Sequence, residues 1–202
     1  MFGIHPRLVA GVIFVEQVMN VSWVDRALDV TFANYGFNTS VGIGQVKVET
    51  AEWIESVLKD STSMYFLGQS FSKVFPSESK QDMINRLGDP KWNTMYVAAN
   101  IAIILKRWAE AGFAIANRSD IVGTLYSTGI QEGGFEKKKP HGNPIPNQFG
   151  RLVKGFFIQK LQLTYSLLKG STHPEYLAAP QPNARQFTGV RFLFQPITLQ
   201  MA

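Results

Sequence analysis

Apolar residues at helical spacing open the chain and predict a helix from Pro6 to Asn20. Proline is tolerated in a first turn, and Val9, Val12 and Ile13 then form one apolar stripe. Glu16 falls on the same stripe, because it follows these three residues by seven, four and three positions. We therefore expect its carboxyl group to point inward or into a cleft.

A carboxyl group in such a place has two interpretations. Burial disfavours its charged form and raises its pKa, which suits a general acid that works near neutral pH. A buried arginine partner, or a side chain that snorkels at the edge of the stripe, would explain Glu16 equally well without catalysis. The helix alone leaves both interpretations open.

Helical periodicity returns in five later segments, so the pattern predicts a mainly α fold. The longest segment is apolar almost all round between Met95 and Leu105, and we expect it to be the buried central helix. Ser77 is the expected N-cap of the helix before it, and Leu152 is an expected core contact of the last helix. The five segments are Thr50–Lys59, Glu78–Leu87, Trp92–Ala111, Ser119–Ser127 and Phe149–Leu168.

The chain is long enough for one domain with a substantial core. Its 202 residues are 45% hydrophobic and 17% charged, which is typical of a folded domain that is neither disordered nor membrane-embedded. After Gly170 several prolines forbid a continuous helix. We therefore expect a helical domain over residues 1–170 and an irregular C-terminal extension over 171–202, packed on the same domain.

Three separated motifs follow one another in a recognisable order. Glu16 lies near the end of an apolar helix. Gly42-Ile43-Gly44-Gln45 then forms a glycine-rich turn at the end of the loop predicted over Gly36–Gly44, and Thr50-Ala51 opens the next helix. Asn93 then begins an apolar helix, and Thr124-Leu125-Tyr126-Ser127-Thr128-Gly129 follows it. Together these pieces, over about residues 6 to 130, resemble the goose-type lysozyme and soluble lytic transglycosylase superfamily. Its members carry a catalytic Glu, a Gly-Leu-Met-Gln-like turn with a Thr-Ala after it, and an Ala-Tyr-Asn-Ala-Gly segment whose Tyr touches that Glu.

The resemblance implies a lysozyme-like helical domain that cleaves the β-1,4 bond between N-acetylmuramic acid and N-acetylglucosamine in peptidoglycan. In the transglycosylases of that superfamily one Glu protonates the leaving oxygen, then removes the proton of the muramic acid C6 hydroxyl and closes a 1,6-anhydro ring. By this resemblance Glu16 is the acid and then the base, and Tyr126 hydrogen-bonds and orients it. Ser40, Gly42 and Gln45 would contact the substrate.

Two other functions stay open at this point. A lysozyme-type hydrolase (muramidase) would use a second carboxylate to position water. The segment Asn38–Gln45 holds no acid, so the candidates are Asp25 and Asp29, although either could equally form an ion pair on a solvated face. Ser127 stands where the superfamily usually has Asn, so its contact with substrate is the weaker expectation. The third function is a catalytically inactive glycan-binding or assembly module.

Charge and composition narrow the partners. The formal net charge of +5 favours an anionic partner, but peptidoglycan, nucleic acid and acidic membrane surfaces all qualify, so the charge does not choose among them. The glycan strands of peptidoglycan are the partner that the resemblance implies. Nucleic acid is not expected, because the basic residues are dispersed apart from Lys137–Lys139, a run in the glycine-rich loop Thr128–Gly150. No metal or other cofactor is expected, because the three histidines are scattered and the chain has no cysteine.

The predicted place of action is the periplasm or the cell wall. The first residues do not have the pattern of a signal peptide, so export would follow a non-classical route or use a presequence that this chain lacks. No apolar run is long enough for a transmembrane segment, and the sequence does not identify a protein partner.

Overall fold

The computed structural model describes residues 2–19, 38–68, 79–129 and 139–168, with side chains up to Ile158 in the last range. Within these ranges it contains six helices and one two-stranded sheet, and the predicted mainly α fold is confirmed. The helices are α1 (Pro6–Met19), α2 (Val48–Lys59), α3 (Lys80–Gly88), α4 (Pro90–Glu110), α5 (Ser119–Thr128) and α6 (Gln148–Leu168). The strands are β1 (Ser40–Val41) and β2 (Val46–Lys47).

Helix α1 buries one apolar face against the core. Leu8, Val12 and Val15 are its best-buried large side chains, and they lie at the three- and four-residue spacing of a helix stripe. Glu16 borders this stripe and is half-buried. Glu16 thus lies at the edge of the buried face, and the direction of its carboxyl group stays a prediction.

A short hairpin stands in place of the loop that was predicted to end at Gly44. Strands β1 and β2 pair antiparallel, with Val41 opposite Val46. Both valines are buried, which fixes the side of the hairpin that faces the core. Strands of two residues are too short to show an alternating pattern, so the sequence could not reveal them.

Helix α4 is the central helix of the described residues, as predicted. It packs against α1, α2, α3, α5 and β2. Asp89 caps its N-terminus, since its carboxylate accepts hydrogen bonds from the backbone N–H groups of Lys91 and Trp92. Ile101, Ile103 and other large side chains of this helix are fully shielded from solvent, and their burial supplies much of the hydrophobic core.

Helices α5 and α6 approach each other closely at two glycines. A Cβ atom at Gly150 would collide with the backbone carbonyl of Asp120, and one at Gly123 would lie 2.9 Å from the Val153 side chain. The close approach turns Phe149 and Val153 into the core. Leu152 is 40% exposed, so the prediction that it is a core contact was wrong, because it lies on the neighbouring face of the helix.

The N-cap of α3 also differs from the prediction. Ser79, not Ser77, precedes the helix, and its hydroxyl oxygen accepts a hydrogen bond from the backbone N–H of Asp82. Ser79 satisfies a free N–H group of the first turn, whereas the predicted helix began two residues too early.

Internal contacts divide the chain into one compact unit, Met1–Leu163, and a second, Thr164–Ala202. The first unit contains the sheet and the helices up to Leu163 of α6, and of the second only the backbone of residues 164–168, the end of α6, is described. The predicted extension over 171–202 lies outside the described residues, so its packing and the predicted division at residue 170 stay predictions.

Candidate active site at the hairpin turn

The turn between β1 and β2, Gly42–Gln45, is the centre of the candidate site and is called the hairpin turn below. The backbone N–H of Gln45 donates to the Gly42 carbonyl at 3.1 Å, and the Gln45 side-chain amide donates to the same oxygen at 3.0 Å. Gln45 has φ +48°, the one positive value at a non-glycine residue among those described. Unusual backbone conformations of this kind cluster at functional sites, where the surrounding structure holds them.

Glycine is required at two positions of the hairpin turn. Gly42 has φ +76°, and a Cβ atom there would collide with the Leu87 carbonyl oxygen. A Cβ atom at Gly44 would collide with the Val97 side chain and lie 3.0 Å from Asn93 Oδ1. The two glycines let the turn lie directly against the C-terminus of α3 and the first turns of α4.

Side chains from three helices hold the backbone of the hairpin turn. From α1, Gln17 Nε2 donates to the Ile43 carbonyl at 2.5 Å. From α4, Asn93 Oδ1 accepts the Gly44 N–H at 2.7 Å. From α5, the Tyr126 hydroxyl donates to the Gly44 carbonyl at 2.6 Å. The backbone of the turn is thereby tied to helices that are far apart in sequence.

Glu16 is the neighbour in sequence of Gln17, the α1 residue that is bonded to the hairpin turn. Its negative charge is close enough to Tyr126 to affect the ionisation of the phenol. Burial is the main cause that raises the pKa of Tyr126 well above its usual value, and the charge of Glu16 raises it further. Tyr126 therefore stays protonated throughout the neutral range and keeps its hydroxyl donor.

The Tyr126 hydroxyl bonds to the hairpin turn. The phenol has a single proton, and it is donated to the Gly44 carbonyl. The direct effect of Tyr126 is therefore on the hairpin turn, and its predicted role in orienting Glu16 stays a prediction. Its ring stacks on Phe149 with 6.4 Å between the ring centroids, which also links it to α6.

The remaining predicted site residues fall into three groups. Ser40 lies half-buried in β1, opposite Lys47 of β2 and two residues before Gly42 of the hairpin turn. Ser127 is exposed, and its hydroxyl donates to the Thr124 carbonyl at 3.0 Å while accepting from Asn147 Nδ2 at 2.9 Å. These bonds join α5 to the start of α6, so in this structure Ser127 serves that junction. The candidate second carboxylates, Asp25 and Asp29, lie outside the described residues.

Sequence reasoning missed the two amide side chains, Gln17 and Asn93, that hold the hairpin turn. Asn93 was noted as the start of an apolar helix, without a role. The available signal was its position, since a polar residue in the first turns of the most apolar helix requires buried hydrogen-bond partners. Gln17 gave no signal, because a glutamine near a helix end is ordinary on a surface.

A second buried polar cluster lies between α2, α3 and α4. The Tyr96 hydroxyl donates to Glu55 Oε1 at 2.5 Å, and Arg86 Nη2 lies 4.0 Å from the same oxygen. Burial, followed by the hydrogen bond and the charge of Glu55, raises the pKa of Tyr96. The single proton of the Tyr96 phenol is donated to a carboxylate of α2 and not to the hairpin turn, which makes Tyr96 a useful comparison for Tyr126.

The described part of the chain offers little for other kinds of site. Its His, Asp and Glu side chains form no group of three or more that is disposed to hold a metal ion. None of its helices has both the length and the apolar character needed to cross a membrane.

No protein-family model, curated protein or solved structure matches the chain.

The arrangement suits proton transfer to a bound ligand. Glu16 supplies a carboxyl group at the position before Gln17, and Gln17 and Tyr126 already hold the carbonyls of the turn. A site of this kind reorganises little when a substrate binds, because its polar groups are fixed beforehand. Gln17 and Tyr126 link the helices that bear the candidate catalytic residues through this one turn.

Proposed function

We propose that the protein is a lytic transglycosylase that cleaves the β-1,4 bond between N-acetylmuramic acid and N-acetylglucosamine in peptidoglycan. Its partners would be the glycan strands of the cell wall, and its place of action the periplasm or the wall itself. The net charge of +5 agrees with an anionic wall polymer as the partner. The proposal requires no cofactor.

One observation carries the proposal. Three motifs that are separated in sequence, and that resemble one superfamily, meet at the hairpin turn. Gln17, next to Glu16, is bonded to the turn 26 residues later, and Tyr126 is bonded to it across 82 residues. A chance resemblance of three short motifs gives no reason for them to meet in the fold.

The proposed reaction uses one carboxyl group twice. Glu16 first gives its proton to the glycosidic oxygen, and the bond from that oxygen to C1 of the muramic acid breaks as positive charge develops on the ring. The carboxylate then removes the proton from the C6 hydroxyl of the same sugar. The C6 oxygen bonds to C1 and closes the 1,6-anhydro ring, which returns Glu16 to its protonated form.

Mass spectrometry of the soluble products tests the type of reaction. Purified peptidoglycan is incubated with the protein, and the released muropeptides are weighed with and without borohydride reduction. We expect 1,6-anhydro ends, which are 18 mass units (one water) lighter than hydrolysed ends and do not react with borohydride, because ring closure uses no water.

Each other result points to a different function. Reducing-end muropeptides would show hydrolysis, and the search for a second carboxylate would then begin at Asp25 and Asp29. Binding to the wall without release of any product would contradict an enzyme and favour the glycan-binding module.

A further inference from the structure

One buried amide makes three hydrogen bonds around the hairpin turn. Asn93 is fully shielded from solvent; its Oδ1 accepts from Gly44 N–H at 2.7 Å, and its Nδ2 donates to the carbonyls of Val41 and Leu87, both at 2.8 Å. Both hydrogens of the amide group are thus used. Asn93 joins β1, the turn and the C-terminus of α3 to α4.

The bond to Gly44 acts on the same peptide group as the bond from Gln17. The carbonyl of Ile43 and the N–H of Gly44 belong to one planar peptide unit. Gln17 Nε2 holds its oxygen at 2.5 Å, and Asn93 Oδ1 holds its N–H at 2.7 Å. Because the unit is planar, fixing both of its polar ends fixes its orientation. The peptide therefore links α4 to α1 at the residue next to Glu16.

We propose that Asn93 is a positioning residue for the Glu16 site. Through the Ile43–Gly44 peptide and Gln17 it sets the spacing between the hairpin turn and the end of α1 that carries Glu16. It makes no contact with the reacting atoms in this account. The inference rests on the proposed function, since it assigns Asn93 a part in that reaction.

Asn93 could also matter only because it is a buried amide that stabilises the fold. A control variant at Asn100 separates that structural role from a positioning role. Asn100 is also a buried asparagine of α4, 5% exposed, and it follows Asn93 by seven residues, which is about 10 Å along a helix. Within the described residues, Asn100 makes no hydrogen bond to the hairpin turn, which Asn93 contacts through Gly44 N–H. The same substitution at both positions truncates a buried amide, but only at Asn93 does it release the turn.

The experiment compares Asn93→Ala, Asn93→Asp and Asn100→Ala in the full chain. Asn93→Asp keeps the size and the acceptor for Gly44 N–H but removes both donors, and it supplies the comparison if Asn93→Ala does not fold. Denaturant unfolding gives the folded fraction of each variant. kcat and KM are then measured with soluble peptidoglycan glycan strands, and hydrogen exchange is followed at the Gly44 amide.

We expect both Asn93 variants to lower kcat, per folded molecule, by about 10- to 100-fold with little change in KM, because displaced catalytic groups lose effective alignment. The Gly44 amide should exchange faster in Asn93→Ala, and Asn100→Ala should keep the wild-type kcat. If the Asn93 variants lose no more kcat than Asn100→Ala, the positioning role is wrong while the proposed function stands. If the wild-type protein releases no product, the proposed function fails and the positioning role with it.

Discussion

At the scale of single residues, the candidate site consists of a backbone turn held by side chains. Gly44 is its most constrained residue, because Asn93 accepts its N–H, Tyr126 donates to its carbonyl, and its Cα lies against Val97. A buried backbone group that loses its partner costs about 1–3 kcal/mol. Changes that remove one of these side chains should therefore affect both stability and the geometry beside Glu16.

Replacing Tyr126 with Phe tests the hydroxyl alone. The variant leaves the Gly44 carbonyl without its donor at 2.6 Å, and we expect a loss of about 1–2 kcal/mol in the free energy of unfolding, measured by denaturant titration. We also expect product release per folded molecule to fall, because the turn beside Glu16 loses one of its fixed contacts.

Tyr96→Phe is the matched control. It also removes a buried phenol hydroxyl, whose partner is Glu55 rather than the hairpin turn. We expect it to lower stability by at least as much, since hydrogen bonds to charged groups are stronger, yet to keep the wild-type activity per folded molecule. Equal losses of activity in the two variants would contradict a specific role for Tyr126.

At the scale of elements, the junction of α5 and α6 keeps Tyr126 in place. Asn147 caps α6 by accepting the Gly150 N–H at 2.9 Å, and its own side chain donates to Ser127 of α5. Phe149, one residue before Gly150, stacks on Tyr126. The two helices therefore form one support for the Tyr126 ring.

Asp120, in the first turn of α5, makes the stability of this junction depend on pH. Burial alone would raise the pKa of its carboxyl group, but the hydrogen bond and charge of Arg118, together with the charge of Lys154, outweigh it and hold the pKa below the usual 3.8. A carboxyl group whose pKa is lowered by folding stabilises the folded protein above its unfolded pKa. That contribution is lost as pH falls through the folded pKa.

We expect Asp120→Asn to lower the free energy of unfolding by about 1–2 kcal/mol at pH 7, a modest value because Arg118 and Lys154 are largely exposed. The difference between wild type and variant should shrink as pH falls below about 4, because Asp120 then takes up a proton in the unfolded chain first and in the folded protein only at lower pH. Urea titrations at several pH values measure it. A difference that is constant from pH 7 to pH 3 would show that the charge of Asp120 contributes nothing.

At the scale of the whole molecule, the described helices share one core around α4. The central position of α4 could be predicted from the sequence, because a 21-residue helix that is apolar on most sides is stable only when it is buried. Helices α1, α2, α5 and α6 were also predicted within a few residues of their ends. Hydrophobic periodicity is a strong signal over such lengths.

The site was less accessible from the sequence than the core. The three motifs identified Glu16, the hairpin turn and Tyr126, and the structure bonds the turn to Tyr126 and to Gln17, the residue after Glu16. The bonds of Gln17 and Asn93 could not be predicted, because they depend on which backbone groups face them in the tertiary structure. The hydrogen bond from the Tyr126 hydroxyl to the Gly44 carbonyl was not foreseen for the same reason, whereas the hairpin was missed because its strands have only two residues each.

The most direct test of the account is the rate at which Glu16→Gln releases soluble muropeptides from purified peptidoglycan. The control is Glu110→Gln, which removes the charge of an acid that is 47% exposed and paired with Lys106 on the surface of α4. We predict that Glu16→Gln folds but releases products at least about 100-fold more slowly than wild type, since an amide cannot donate the proton that the leaving group needs. Glu110→Gln should keep the wild-type rate. Release by Glu16→Gln at the wild-type rate would contradict the assignment of Glu16 as the catalytic acid.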